Sequence, residues 1–248
     1  MSKKKGAREL LLIAAERLFT QNGYKSVSTR DLADAAGVNL AAIKYHFGSK
    51  AKLFVEVIHR LMAASGCVEA RLDFKGPIES KTHAACAIAE YVVGFLQYLL
   101  DPQGPQACKM MLREAGTDHS EDPEMFEALI VSVADQFMRP IEESLVHAIG
   151  ILNPSITPKN ALLCARSLNG ECAFYGSHKI FLERLDQRDL SSIEDLRGVA
   201  EHITAFSLRG MGCSEKLITE AVSSIRPADI SIAAPPPETE QVRGDGRL

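Results

Sequence analysis

Two short helical segments joined by one glycine, between Ser28 and Phe47, constrain this chain more than any other feature. Ser28 and Asp31 have the spacing of a capping box, in which each residue satisfies a backbone N–H at the start of a helix. Gly37 can adopt the positive φ that a tight turn between crossing helices needs. Asn39 is a good N-cap for a second short helix. The spacing therefore predicts a helix-turn-helix.

The second helix of such a motif enters the major groove of DNA, where its first residues meet base edges. Ala41 and Ala42 are small enough for close approach, and their methyl groups can contact thymine methyls. Lys44 can reach a guanine edge or a phosphate. We therefore expect DNA contacts from residues on both helices and just beyond them: Ser28, Thr29, Arg30, Asn39, Leu40, Ala41, Ala42, Lys44, Tyr45, His46 and Lys50.

The charge of the chain is divided unevenly along its length. Residues 1–60 hold eleven Lys/Arg and five Asp/Glu, a net charge of +6, so the remainder carries −10 within the total of −4. A cationic segment attracts phosphates, whereas an anionic one is repelled by DNA. This distribution agrees with a DNA-binding segment at the N-terminus.

Helical periodicity dominates the chain, and no alternating strand pattern is convincing. The first helix is predicted from Ala7 to Gln21, with Gly23 ending it. Later helices are predicted at about 81–100, 107–115, 123–150, 159–185, 192–209 and 214–225. From Pro227 the chain becomes Pro-rich and polar, which predicts a disordered tail at 227–248.

The apolar, glycine and capping positions of residues 8–60 form a pattern: Leu11–Ala15, Leu18, Phe19, Gly23, Ser28, Leu32, Ala33, Ala36–Val38, Tyr45–Phe47, Ser49, Lys50 and Leu53. This pattern resembles the TetR/AcrR family of bacterial regulators. The stretch Val38–Gly48 looks like the branch typified by CecR-type and PsrA-type regulators. Two positions depart from the family pattern. Lys44 stands where many members carry Tyr or Asn, and Lys52 replaces an acidic residue.

The resemblance implies an all-α fold, with a three-helix head, a connecting fourth helix and a larger helical body. On this basis we expect a DNA-binding domain at 1–50 (motif 28–47), a regulatory and dimerisation domain at 51–226, and the tail. The implied function is that of a homodimeric, ligand-responsive repressor at a palindromic operator. An alternative keeps the head but gives the body a protein partner instead of a small ligand.

Aromatic, methionine and charged residues of the body are candidates for a pocket that binds a small lipophilic effector. The helix face at i, i+3, i+4 and i+7 from Glu171 combines aromatic rings with polar groups. Arg113 follows an apolar run, and a buried arginine there would need an acidic partner or an anionic ligand. Ordinary core or dimer packing is the alternative for each of them. The pocket candidates are Tyr91, Phe95, Met110, Arg113, Phe137, Glu171, Phe174, Tyr175 and His178.

Small residues on one predicted helix and an apolar stripe on the next suggest a two-fold interface between helices. The dimer candidates are Gly170, Ala173, Ser177, Val199, Ile203 and Phe206. No catalytic motif, metal-ligand spacing or cofactor motif is found, so we expect neither an enzyme, nor a metal site, nor a cofactor. The six cysteines are expected to be buried and unpaired. No membrane span is expected, and the predicted location is the cytoplasm, at the nucleoid.

Overall fold

The computed structural model describes residues 6–64, 78–101, 106–115 and 122–230, apart from the side chains at 112, 115 and 229. Every regular element in these ranges is helical, which confirms the predicted all-α fold. The head contains α1 (Ala7–Asn22), α2 (Thr29–Ala36) and α3 (Ala41–Phe47), and α4 (Lys50–Ala64) leads into the body. The body contains α5 (Lys81–Leu100), α6 (Gln106–Ala115), α7 (Pro123–Val133), α8 (Arg139–Leu152), α9 (Pro158–Asp186), α10 (Ile193–Gly210) and α11 (Glu215–Ser223).

The local signals around α2 act as the sequence predicts. The backbone N–H of Ser28 donates to the Asp31 carboxylate at 2.8 Å, and the Asp31 N–H donates to Ser28 Oγ at 3.1 Å. The Ser28 hydroxyl, which donates to the Asp31 carboxylate, and the Ser28 N–H lower the pKa of that carboxyl, because they favour its charged form. Gly37 ends α2 in the left-handed conformation, at φ 64°. The predicted capping box and turn are both confirmed.

One continuous helical rod runs through α7, a π-helical turn at Ala134–Met138, and α8. Pro140 stands in the first turn of α8. A proline inside a helix lacks the N–H for the bond to residue i−4, and its ring clashes with that carbonyl. The wider π turn just before Pro140 relieves this clash without breaking the rod.

Two hydrophobic clusters divide the described residues. The head core joins α1–α4 with α6, α7 and the π turn, and its largest members include Phe19, Phe54 and Leu129. The body core joins α5 with α8–α11. Residues of α4 such as Leu53 lie inside the head core, so hydrophobic packing continues across the predicted domain boundary at residue 50. The division into domains stays a prediction.

α5 is long and apolar enough to cross a membrane by length and composition, at a mean hydropathy of 1.3. A helix at 81–100 was predicted, but its membrane-spanning hydropathy was not. However, 61% of its apolar stretch is buried, and α5 packs against α8–α11 in the body core. Its hydrophobicity is therefore accounted for by core packing.

The predicted tail begins too early. Pro227–Asp229 forms a 3-10 turn, and Ile230 is buried in the body core. Residues 227–230 therefore belong to the fold, because a buried isoleucine anchors them. Residues 231–248 lie outside the described residues.

Candidate nucleic-acid interface

The second helix of the helix-turn-helix, α3, presents a small exposed face. Tyr45 is 84% exposed, and Leu40, Ala41 and Lys44 are also exposed. On the opposite side, Ile43 is buried in the head core. The face holds one positive charge, one large ring and two small apolar groups, which suits close approach to a groove floor.

The start of α2 adds polar groups beside this face. Thr29 and Arg30 are exposed at the positive end of the helix dipole, where phosphates bind favourably. Ser28 is also exposed, but its hydroxyl already donates to the Asp31 carboxylate at 2.6 Å. Ser28 therefore shapes the helix start through its side chain.

Three predicted contact residues are partly engaged within the head. The Asn39 side-chain oxygen accepts from the backbone N–H of Ala41 at 2.8 Å, which makes Asn39 a local cap. Ala42 packs against the head core, so its methyl group is less available than that of Ala41. The half-buried His46 ring lies 4.8 Å from the Tyr45 ring, centroid to centroid.

Lys50, predicted to anchor a phosphate, is turned toward the body. Its ammonium lies 3.9 Å from the centroid of the Tyr24 ring. Burial lowers the pKa of Lys50, whereas the nearby carboxylates of Asp122, Glu114 and Asp31 raise it. Half-buried in this position, its side chain contacts the ring instead of extending into solvent.

The same tyrosine ties the head to the body. Its hydroxyl donates to Asp122 at 2.6 Å, and its backbone N–H donates to Glu114 at 3.1 Å. Burial and the hydrogen bond to Asp122 raise the pKa of Tyr24, so the phenol keeps its proton. Glu114 is only 2% exposed. Contacts of this kind join segments about 90 residues apart, and sequence reasoning missed Tyr24, Glu114 and Asp122.

Arg113 is exposed rather than buried, and it caps α1 instead of lining a pocket. Its guanidinium donates to the Phe19 carbonyl at 2.6 Å and to Glu114 at 3.3 Å. α1 has no basic residue in its own last turn, so Arg113 supplies the positive charge that a helix C-terminus favours. This overturns the inward orientation that would make Arg113 an effector contact.

The other pocket candidates do not converge on one cavity. Tyr91 is buried in the body core, where its hydroxyl donates to Asn169 and its ring stacks on Phe95. Met110 and Phe137 lie in the head core instead. The remaining four are divided: Tyr175 packs against the body core, Glu171 is half-buried near His202, and Phe174 and His178 are exposed.

Two of the cavities on the described residues are open grooves. One, of about 570 Å³, follows α4 between Lys52 and Ala63. Another, of about 450 Å³, follows α7 and the π turn between Glu124 and Gln136. None of the nine pocket candidates lines either groove. Within the described ranges, no cluster of three or more His, Cys, Asp or Glu side chains could hold a metal ion.

The cysteines in the described ranges carry thiols and form no disulfide, as a packing role requires. Cys172 is buried in the body core, where burial raises the pKa of its thiol to about 12. The thiolate is therefore scarce at neutral pH, and the side chain is chemically inert.

A long apolar face lies on α9 and α10. Ile180, Phe181 and Leu185 are 79%, 69% and 76% exposed, and Phe206 on α10 is 59% exposed. The small candidates Gly170, Ala173 and Ser177 are exposed on the same helix as the first three. An apolar surface of this extent on a folded monomer typically marks an interaction site.

Only one of the three dimer candidates on α10 is buried in the protein's own core: Ile203 is 1% exposed. Val199 is half-buried against that core, so its dimer contact stays a prediction. Phe206 lies on the exposed side of the helix with Gly198 and His202. An apolar stripe of three residues cannot reveal which of two helix faces meets the protein's own core. Phe174, predicted for the pocket, shares the exposed face of α9, with His178 stacked on it at 4.5 Å.

Comparisons with known proteins agree with this geometry. Residues 11–57 match the family described as "Bacterial regulatory proteins, tetR family". The HTH-type transcriptional repressor NicS of Pseudomonas putida is 27% identical over 82% of this chain and 92% of its own length. The HTH-type transcriptional regulator AcrR of Shigella flexneri is 39% identical, but over only 28% of this chain and 33% of its own.

Solved structures share the whole fold. NalD of Pseudomonas aeruginosa aligns with a TM-score of 0.56 at 23% identity, over 82% of this chain and 94% of its own. GusR of Salmonella enterica aligns with a TM-score of 0.55 at 19% identity, over 86% and 99%.

The fold and the exposed second helix define a helix-turn-helix DNA-binding protein. Residues 11–57 of the chain match the tetR family of bacterial regulatory proteins, and the chain as a whole is similar to HTH-type transcriptional regulators. The relatives named here are regulators and repressors, and none of them supports the alternative in which the body is an adaptor for a protein partner.

Proposed function

We propose that the protein is a homodimeric repressor that binds a palindromic operator and releases it when a small lipophilic effector binds the body. The observation that carries the proposal is the exposed face of Leu40, Ala41, Lys44 and Tyr45 on a rigidly capped helix-turn-helix. We assign base contacts to Ala41 and Lys44, and phosphate contacts to Thr29, Arg30 and Tyr45. The site of action is the cytoplasmic nucleoid.

The apolar face of α9 and α10 supports the homodimer. A two-fold axis would pair this face with itself, in an interface of four helices. The small side chains at Gly170, Ala173 and Ser177 would allow the two copies of α9 to approach closely. Two heads related in this way read two half-sites, so the operator has the symmetry of the dimer.

The effector is the least constrained part of the proposal. The similarity of Val38–Gly48 to CecR-type and PsrA-type regulators favours an apolar or acyl compound. NalD is described as a secondary repressor of a multidrug efflux pump, which is consistent with the same ligand class. Among the candidates, the half-buried or buried aromatic groups of the body core (Tyr91, Phe95 and Tyr175) suit such a ligand best. Thermal-shift screening of lipophilic compounds tests this proposal, because a ligand of the native state raises Tm by mass action.

Selection of binding sites from a random duplex pool tests DNA recognition. We expect a palindrome whose half-sites lie about 34–36 Å apart, or near a multiple of this spacing. Lys44→Ala should weaken binding to the selected site about tenfold and relax its sequence preference. Lys216→Ala, which removes an exposed lysine on α11, is the charge-matched control. An unenriched pool, or unchanged affinity of the Lys44 variant, would contradict the proposed recognition.

Light scattering tests the dimer. Phe181→Glu places a charge on the exposed face of α9, so the monomer should fold while the dimer dissociates. Val131→Glu introduces the same charge at an exposed apolar residue of α7 and should leave the dimer intact. A wild-type monomer, or a Phe181 variant that remains dimeric, would refute the interface.

A further inference from the structure

We propose that Lys50 has two competing partners: a phosphate of bound DNA, and the acidic side of the body, where its ammonium lies over the Tyr24 ring that Asp122 and Glu114 hydrogen-bond. In this arrangement Asp122 lowers the affinity of the protein for DNA. The inference rests on the proposed function, because a phosphate contact of Lys50 requires that the head binds DNA.

Lys50 stands where the recognition surface meets the body. It is the first residue of α4, three positions after α3 ends at Phe47. Yet the ammonium is 3.9 Å from the Tyr24 ring centroid, on the side of the molecule that contacts α6 and α7.

Body residues fix the tyrosine that holds the lysine. Asp122 accepts the Tyr24 hydroxyl at 2.6 Å, and it also caps α7 by accepting the Met125 N–H at 3.0 Å. Glu114 accepts the Tyr24 backbone N–H at 3.1 Å. The ring also packs edge-on against Phe54, with centroids 5.1 Å apart. The ring is therefore a fixed platform, and two carboxylates from the body lie close to it.

The charges at this platform oppose a contact with DNA. Burial lowers the pKa of Lys50, and the carboxylates of Asp122, Glu114 and Asp31 oppose this by favouring its ammonium form. A lysine is a point charge on a flexible four-carbon stem, so it can turn from these carboxylates to a phosphate. The turn gives up the ring contact and the attraction of the carboxylates, and this loss lowers the affinity for DNA.

Through this competition, the body can change the affinity of the head for DNA by way of the Lys50 ammonium. A movement of α6 or α7 away from Tyr24 would free Lys50 for a phosphate, whereas closer packing would withdraw it. The change acts on phosphate binding, so it shifts affinity for every DNA sequence by the same factor.

A double-mutant cycle in the full-length protein tests the competition. The probes are a duplex of about 30 base pairs that the wild type selects from a random pool, and a mixed-sequence duplex of equal length. Asp122→Asn keeps an N-cap and an acceptor for Tyr24 but removes the charge. It should raise the affinity for both duplexes about threefold. Lys50→Gln should lower both affinities and reduce the salt slope by about 0.9.

In the Lys50→Gln background, Asp122→Asn should have no effect. Glu124→Gln is the matched control, because Glu124 lies on the same helix and contacts Ser49 rather than Lys50. Asp122→Ser is a second neutral N-cap in case the asparagine variant does not fold. An equal gain in the Lys50→Gln background or from Glu124→Gln, or no gain from either Asp122 variant, would overturn the competition. A wild-type protein that binds neither duplex would overturn the proposed function itself.

Discussion

The head core and the body core differ in the types of residue that they bury. The head core contains an aromatic cluster, with Phe19 and Tyr24 each packed against Phe54 within 5.2 Å. A buried carboxylate, Glu114, lies at its edge. The body core is rich in alanine and branched aliphatic residues, and its buried polar side chains in the described ranges are Thr204 and Ser207. Directional bonds therefore orient the head, whereas close helix packing holds the body together.

The largest effect is expected from a substitution in the head core, compared with one in the body core. Phe54→Ala should lower the free energy of unfolding of the head by about 3–5 kcal/mol, because it removes a fully buried ring. The variant should lose DNA binding while it remains dimeric. Leu168→Ala, in the body core, should instead weaken the dimer first. Urea unfolding followed by circular dichroism, with light scattering and DNA binding in parallel, measures this. Equal loss of both functions in both variants would show one cooperative unit.

Buried polar groups should behave oppositely in the two cores. Glu114→Leu leaves the Tyr24 N–H without its acceptor and should lower the free energy of unfolding by about 2–3 kcal/mol. Thr204→Val removes a buried hydroxyl that has no hydrogen-bond partner within the described structure, so stability should stay equal or rise by about 1 kcal/mol. Thermal and chemical unfolding measure both changes. A destabilised Thr204 variant, or a neutral Glu114 variant, would contradict the distinction.

Close helix packing in the body can be tested at Gly176. A Cβ built there would lie 2.8 Å from Leu99 Cβ, which joins α9 to α5. Gly176→Ala should therefore lower the free energy of unfolding by about 1–2 kcal/mol. Gly150→Ala is the control, since no atom lies within 4 Å of its added Cβ and alanine is the better helix former. A stabilised Gly176 variant in urea unfolding would show that the two helices can separate freely.

The smallest expected effect is a pH dependence at the edge of the head core. His59 contacts Ser132 at 2.5 Å and Phe137 edge-on, and burial lowers its pKa while Glu56 opposes this. The unfolded chain binds a proton near pH 6.5, before the folded one does. The contribution to stability is complete above pH 6.5 and declines as the pH falls below it. His59→Gln should flatten this decline in urea unfolding, whereas His147→Gln, at an exposed site on α8, should not.

Local features were predictable because their causes are local. The capping box at Ser28, the turn at Gly37 and the exposed face around Lys44 each depend on residues within one or two helical turns. The helix bounds of the body follow from periodicity and from proline and glycine positions. These signals fix an element and its amphipathic faces, but they do not say what each face meets.

Partners across the chain were not predictable from this information. Arg113 gave no sign that it would bind the Phe19 carbonyl, 94 positions earlier. Ile203 lay in a stripe that fits a core as well as an interface, and the structure places it in the core. Lys50 was predicted to contact a phosphate, and nothing in the sequence indicated the Tyr24 ring as its partner. Such contacts depend on how helices cross, which one sequence does not state.

The rod of α7, the π turn and α8 is sensitive to chain length, because it packs into both cores. Its first half belongs to the head core and its second half to the body core, so its helical register must satisfy both. Deleting one residue of α8 before Leu145 would rotate all later side chains of the rod by about 100°. Leu145 and Ile149 would then leave the body core while Leu129 kept its place. Substitutions can accumulate along this rod, but we expect insertions and deletions within it to be strongly destabilising.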